Sequence, residues 1–294
     1  MFKRISLFLA VNIAITATLS LIVTLLGGAR YMTQAGLDYS SLAIFCMIWG
    51  FGGSFISLLM SKFIAKMSMG VKIIPPNENG PYGSLVQRVH TLCRQASLTK
   101  MPEVGVFQNP SPNAFATGPS QSHALVAVST GLLQNMNNEQ VDAVLAHEIA
   151  HIKNGDMVTL TLIQGTVNAF TMFLSRIVGF AITQGVKEEN RAGIMMLVTF
   201  VLDLVFGFIG MAIVCRFSRW REFRADRGSA NILGTPLPMI SALQNLAQAQ
   251  GHLPPPEKTS LAALQISGKS GGLMSFFATH PPLEDRIAAL QRAS

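Results

Sequence analysis

The sequence predicts a mainly α protein with a small β-sheet, an α+β globular part joined to four transmembrane helices. Three observations predict it. Hydrophobic residues make up 49% of the 294 residues and charged residues only 13%, against about 25% charged in a typical globular chain. The apolar residues gather into runs long enough to cross a bilayer. Between and after those runs lie two long polar segments in which helical and strand periods alternate.

Taking the elements in order, Ile5 to Leu26 is almost uncharged and follows Lys3 and Arg4. Its length of about 22 residues suffices for a hydrocarbon core of roughly 30 Å. It exceeds the apolar stretch of about 7–15 residues found in cleavable signal peptides, so it reads as a retained anchor despite the small residues Gly27, Gly28 and Ala29. A short loop holding Arg30 and Asp38 leads to the second span, Leu42 to Met60, which Lys62, Lys66 and Lys72 follow. Val158 to Ile182 and Ile194 to Val214 are the third and fourth spans. Gln164, Asn168 and Arg176 interrupt the third, and a polar loop with Lys187, Glu188, Glu189 and Arg191 separates the pair.

Lys3 and Arg4, the lysines after span two, and Arg216, Arg219, Arg221 and Arg224 after span four all fall on one side of a four-span layout. The positive-inside rule makes that side cytoplasmic. The chain then divides into two N-terminal spans (1–68), a cytosolic segment (69–157), two further spans (158–215) and a second cytosolic segment (216–294), with both termini in the cytosol.

In the first cytosolic segment, Pro81 to Ala96 has a helical period with Leu85, Val89 and Leu92 on one face. Val104 to Phe107 and Ala124 to Ser129 are short β-type runs. Pro110 and Pro112 before Asn113 predict a turn. Asn137, Asn138 and Glu139 open an amphipathic helix with Val141, Val144, Leu145 and Ile152 on its apolar face. Farther on, Gly251 to Gly272 reads as a mobile loop. Its Gly268, Lys269 and Ser270 do not complete a phosphate-binding loop, because Ala263 stands where that motif needs glycine.

Composition excludes some classes of function. The net charge of +7 is not gathered into a basic stripe with interleaved aromatics, so no nucleic-acid partner is expected. Cys46, Cys93 and Cys215 have neither metal-ligand spacing nor the pattern of a disulfide framework.

The chemistry lies in His147, Glu148, Ile149, Ala150 and His151. Histidines four residues apart on a helix project from nearly the same face and can share one metal. Zinc suits them, since it accepts neutral imidazole nitrogen at about 2.0–2.1 Å. Glu148, one residue past the first ligand, is placed to take a proton from a water that zinc acidifies.

A catalytic site needs a third protein ligand and an open position. Asp203 within span four and Glu222 beyond it compete. Helical continuation of span four would carry Glu222 about 8 residues, or roughly 12 Å, past the membrane face, and His151 precedes span three by a similar number of residues. That matching height favours Glu222; Asp203 would mark an intramembrane protease of the site-2 type, and otherwise pairs with Arg176. Asp226, one turn after Glu222, could accept a hydrogen bond from the non-ligating nitrogen of a zinc histidine. A plainer reading pairs Glu222 and Asp226 with Arg219, Arg221 or Arg224 along the helix.

Together these residues resemble the M48 family of metallopeptidases. The likeness is carried by His147 to His151, by Glu222 through Asp226, by Asn113, Ala114, Phe115 and Ala116, and by Thr279, His280, Pro281 and Pro282. It implies a zincin-like fold, one zinc held by His147, His151 and Glu222, and Glu148 as base. It also implies that Asn113 to Ala116 form an extended edge for the substrate backbone, that His280 stabilises the oxyanion, and that Arg286 is the basic residue of the same pattern. For His280 the alternative is a helix-opening residue before Pro281 and Pro282. Asp156 after Gly155 fits the family pattern without an assigned role. The implied activity is endoproteolysis of misfolded or damaged membrane proteins at the cytoplasmic face of the bacterial inner membrane, in envelope stress quality control. Prenyl-protein processing is possible within the same chemistry, but its enzymes resemble a longer chain with more spans. A membrane metal-binding scaffold or transporter is the rival from another class.

Overall fold

The computed structural model describes residues 16–25, 31–33, 36–252 and 280–292, with side chains as far as residue 248 in the third stretch. The described residues divide into two compact units. One gathers those of Met1–Leu58 and Thr159–Val214, the other those of Leu59–Val158 and Cys215–Ser294.

The first unit is helical. It holds α1 (Thr16–Leu25), a short hairpin of β1 (Met32–Thr33) and β2 (Gly36–Leu37), and the apolar parts of three long helices. These are α2 (Tyr39–Met69), α6 (Asp156–Thr183) and α7 (Glu188–Leu233). Among the described residues these three are long and apolar enough to cross a membrane. Most of the first expected span, Ile5 to Leu26, lies outside the described residues, and its described part is α1. The segment expected as a plain loop carries the β1–β2 hairpin, and Asp38 caps α2 by accepting from the backbone N–H of Ser40 at 2.9 Å.

The polar residues that interrupt the third span have polar partners. Gln164 donates to Asn168 at 2.8 Å. Arg176 donates to the Met172 carbonyl at 3.0 Å, meets Asp203 at 3.4 Å and lies over the Phe45 ring. In lipid, such pairing is what keeps polar side chains tolerable.

The second unit is built on a four-stranded sheet of β3 (Lys72–Ile74), β4 (Glu103–Phe107), β5 (Ala114–Thr117) and β6 (Leu125–Ser129), in the order β3-β4-β6-β5. β4 and β6 run parallel, with Val104 opposite Val126, and the outer strands are antiparallel to their neighbours. All of β6 is buried because both faces of the sheet are covered. Leu125 and Ala127 join Phe107 and Phe115 in a small cluster with Ala65 of α2. Val126 and Val128 face the main core, shared with α3 (Gly83–Gln95), α5 (Asn138–Asn154), α8 (Leu237–His252) and α9 (Leu283–Arg292). Because α8 continues to His252, the first two residues of the expected Gly251 to Gly272 loop are helical, and the rest lies outside the described residues, with Gly268, Lys269, Ser270 and Ala263.

The sequence predicts an amphipathic α5, and the structure corrects that. From Ala143 to Ile152 every residue is buried, so the helix is central and has no solvent face along that stretch. A helix apolar on one stripe and polar on the other can still be wholly buried when its polar stripe faces other polar side chains. That is the situation of His147, Glu148 and His151.

Candidate metal centre

The site assembles on α5 because of what starts and stops that helix. Asn137 accepts a hydrogen bond from the Gln140 backbone N–H at 2.9 Å, and the Gln140 side chain accepts from the Asn137 N–H at 3.1 Å, a reciprocal cap. At the other end Gly155 adopts φ +66°, the left-handed conformation a Cβ disfavours, and the chain turns at once into α6. Asp156, the first residue of α6, is thereby folded back behind His151.

α7 supplies the opposing side as one unbroken helix. Gly228 allows it to approach α5: a Cβ there would lie 2.6 Å from the Ala150 Cβ. Ser229 fastens the crossing by donating to the Ala143 carbonyl at 2.9 Å. Glu222 and Asp226, 1% exposed each, are then brought alongside the histidine pair.

His147 Nε2 and His151 Nε2 are 3.1 Å apart. His147 Nε2 lies 3.5 Å from Glu222 Oε2, and His151 Nε2 lies 3.3 Å from Glu222 Oε1. A tetrahedral cation with bonds of about 2.0–2.1 Å separates its ligand atoms by roughly 3.3–3.4 Å. The triangle fits. Each imidazole also has its Nδ1 against a carboxylate, His147 on Asp226 at 2.9 Å and His151 on Asp156 at 2.6 Å. With Nδ1–H donating to those carboxylates, both Nε2 atoms carry lone pairs, and they converge with a buried Glu222 oxygen, Oε1, that has no hydrogen-bond partner. Three acceptors aimed at one point ask for a cation. Among the described residues this is the group of histidine, cysteine and acidic side chains able to hold a metal ion.

The surrounding charges are arranged for the same purpose. Arg286 is fully buried and donates to both Asp226 oxygens, Nε at 2.8 Å and Nη2 at 2.6 Å. Burial would raise the Asp226 carboxyl, but Arg286 and His147 outweigh it and hold it at about 2. Burial likewise opposes ionisation of Glu222, and His280, His147 and His151 keep it well below the usual carboxylate range. In the metal-free site burial pushes the His147 imidazole down, yet its hydrogen bonds to Asp226 and Glu222 prevail and raise it to about 9. The site favours positive charge at its centre.

The expected residues are thus largely brought together. His147, His151 and Glu222 come together in a group that could hold a metal ion, and Asp226 and Arg286 stand behind His147. Glu148 is buried beside His147. His280 contacts Glu222 through Nδ1 at 2.9 Å, and its Nε2 is buried without a partner. Thr279 lies outside the described residues.

The chain bends at Pro110 and Ser111, where the turn is expected, and a strand that the prolines do not announce follows from Ala114. The Asn113 N–H donates to Ser129 Oγ at 2.9 Å, and Ala114–Thr117 then runs at the sheet edge beside β6. Asp203 does not join the cluster; its partner is Arg176. Of the plainer helical pairing one long contact is present, Arg221 Nη2 to Glu222 Oε1 at 3.8 Å, while Asp226 is held by Arg286 from α9 and Arg224 by Asp156. Sequence reasoning left Asp156 without a role, and the signal was Gly155, whose left-handed turn puts the next carboxylate behind the helix just ended.

Membrane-length helices joined to a buried site of two histidines and a carboxylate define a membrane-bound metallopeptidase. The chain belongs to peptidase family M48, whose signature matches residues 81–294. It is 50% identical over 296 residues to a protease HtpX homolog of Paracidovorax citrulli (strain AAC00-1), with 99% of each chain covered. It is 48% identical over 298 residues to a protease HtpX homolog of Chlorobium limicola (strain DSM 245 / NBRC 103803 / 6330), covering 99% of this chain and 100% of that one. The fold is similar to the crystal structure of S. mikatae Ste24p, with a TM-score of 0.64 at 17% identity over 99% of this chain and 66% of that one.

Proposed function

We propose that the chain is a zinc-dependent endopeptidase of the bacterial inner membrane that hydrolyses peptide bonds in misfolded or damaged membrane proteins on the cytoplasmic side, as part of envelope stress quality control. The observation that carries the proposal is the triangle of His147 Nε2, His151 Nε2 and a Glu222 carboxylate oxygen, with each Nδ1 tied to an aspartate. Three protein ligands suit a catalytic ion, which keeps one position open, better than a closed structural or transport site.

Zinc, when bound, polarises the scissile carbonyl and makes the attacking water more acidic. The chain's own residues do the rest. Glu148 takes the proton from that water and passes it to the leaving amine. Asp226 and Asp156 fix the tautomer and direction of the two histidines. His280, anchored on Glu222 through Nδ1, keeps Nε2 for the developing oxyanion, which it serves when that nitrogen is protonated. The free edge of β5, from Ala114 through Phe115 and Ala116, offers backbone groups to an extended substrate, with Asn113 at its start. Basic residues following the apolar runs support a cytosolic catalytic part and cytosolic termini.

Glu148→Gln tests the proposal. The variant is expected to keep stoichiometric zinc and to lose cleavage of an unfolded membrane-protein substrate by a factor on the order of 10²–10⁴. Full activity in that variant would refute the assignment of the base.

A further inference from the structure

Each histidine of the triangle is backed by an aspartate, and each aspartate by an arginine, but the two supports are built differently. Behind His147, Asp226 and its partner Arg286 are both sealed in the core. Behind His151, Asp156 is fully buried while its partner Arg224 keeps 32% of its side chain exposed. The Arg224 guanidinium is ion-paired to the Asp156 carboxylate and lies over the Trp220 ring, 4.8 Å from its centroid. Trp220 is itself 49% exposed. Arg224 sits midway between Glu222 and Asp226 on α7, so one short stretch of helix provides a ligand, the support of one histidine and the counter-charge for the support of the other.

Charge accounting gives Arg224 a definite task. Glu148, Glu222, Asp226 and Asp156 are four buried carboxylates. Arg286 pairs with Asp226, Arg221 lies 3.8 Å from Glu222, and Arg224 pairs with Asp156. Without Arg224 the buried carboxylate that orients His151 loses its arginine partner.

We infer that Arg224, stacked on Trp220, is a positioning residue of the metal centre, acting through Asp156 to hold His151 Nε2 toward the ion. The inference rests on the metallopeptidase reading of the site. It assigns the Asp156–Arg224 pair the duty that Asp226 and Arg286 perform for His147, and it places that duty at a partly exposed part of the molecule. Stacking on an indole face fixes the guanidinium plane, which a flexible lysine ammonium could not reproduce in full.

The test uses the full chain in detergent micelles, with zinc affinity measured by competition with a chromophoric chelator and ligand geometry read from the electronic spectrum of the cobalt(II)-loaded protein. Arg224→Met is expected to weaken zinc by about 10-fold to 100-fold and to alter the cobalt spectrum. Arg224→Lys should recover part of the loss, and Arg224→Gln, a smaller change, should fall on the same side as Arg224→Met. Asp156→Asn should weaken zinc similarly, and adding Arg224→Met to it should cost little more, because both changes remove one relay. Wild-type zinc affinity and an unchanged cobalt spectrum in Arg224→Met and Arg224→Gln would overturn the inference while leaving the peptidase reading intact. Losses that multiply in the double variant would overturn it too. A wild-type chain that binds no divalent metal would remove the reading beneath both.

Discussion

The close crossing of α7 over α5 makes Gly228→Ala a stringent perturbation. The added methyl would lie 2.6 Å from the Ala150 Cβ, whereas carbon atoms settle about 3.5–4.0 Å apart. The helices must separate by about 1 Å to accept it. Asp226 and Glu222 are within two turns of Gly228, so that retreat reaches them. The two Nε2 atoms stand 3.1 Å apart and each lies 3.3–3.5 Å from a Glu222 oxygen, and a metal site tolerates departures of only about 0.2 Å in its bonds. Overpacking alone should cost about 1–3 kcal/mol of stability, and a misplacement of about 1 Å at the site should lower turnover on the order of 10²-fold. The assay is zinc content after dialysis together with cleavage of an unfolded membrane protein. Ala150→Gly removes the methyl that the new one strikes. The double variant should regain zinc and activity even though glycine inside a helix costs about 1 kcal/mol. A Gly228→Ala protein that retains zinc and full turnover would refute the reasoning, as would a double variant no better than the single.

Glu222→Gln should abolish stoichiometric zinc binding, while Asp203→Asn should leave it intact; loss of metal in the Asp203 variant alone would reverse the choice of third ligand. Because His147 in the metal-free site is held up to about 9, it carries a proton below that pH that zinc must displace. Apparent zinc affinity should therefore rise about tenfold per pH unit for each proton released, on the approach to pH 9, and then flatten. Titration calorimetry in buffers of different ionisation enthalpy would detect the released proton near neutral pH, and its absence would contradict the protonated site.

How much of the fold could be read from the sequence depended on whether a segment reports its own environment. The apolar runs do so, since uncharged stretches of that length have few alternatives to lipid. Strand β4 and helix α3 also do so through their periodicity. Strand β3 does not: its three residues pair with β4, and nothing in Lys72, Ile73 and Ile74 distinguishes a strand from the tail of α2. Strand β5 fails for a related reason. Its preceding prolines announce a turn, while the extended course of Ala114–Thr117 is set by pairing to β6 and by Ser129 at its start. The resemblance to a known family supplied that strand; the residues themselves did not. Helix α5 is legible but its buried setting is not, because residues that look polar in sequence are buried when they face one another.

The site divides along the same line. His147, Glu148 and His151 are legible because their chemistry is written in one turn of helix, and Glu222 because α7 continues straight beyond its apolar stretch. Asp156 and Arg224 are not, although Asp156 contacts His151 directly and Arg224 reaches it through Asp156. Their 68-residue separation hides the pairing from any local rule. The unbroken α7 that returns Glu222 to His151 also returns Arg224 to Asp156, so the place of Glu222 already constrains its neighbours on that turn. Had Gly155 been read as a left-handed helix stop, Asp156 would have been placed behind His151, and a buried carboxylate there would have demanded a cation. The next arginines on α7 were the available source. The histidine support farther from the core is therefore derivable from sequence once two steps are joined: a glycine that ends one helix, and a long helix that brings its charges back.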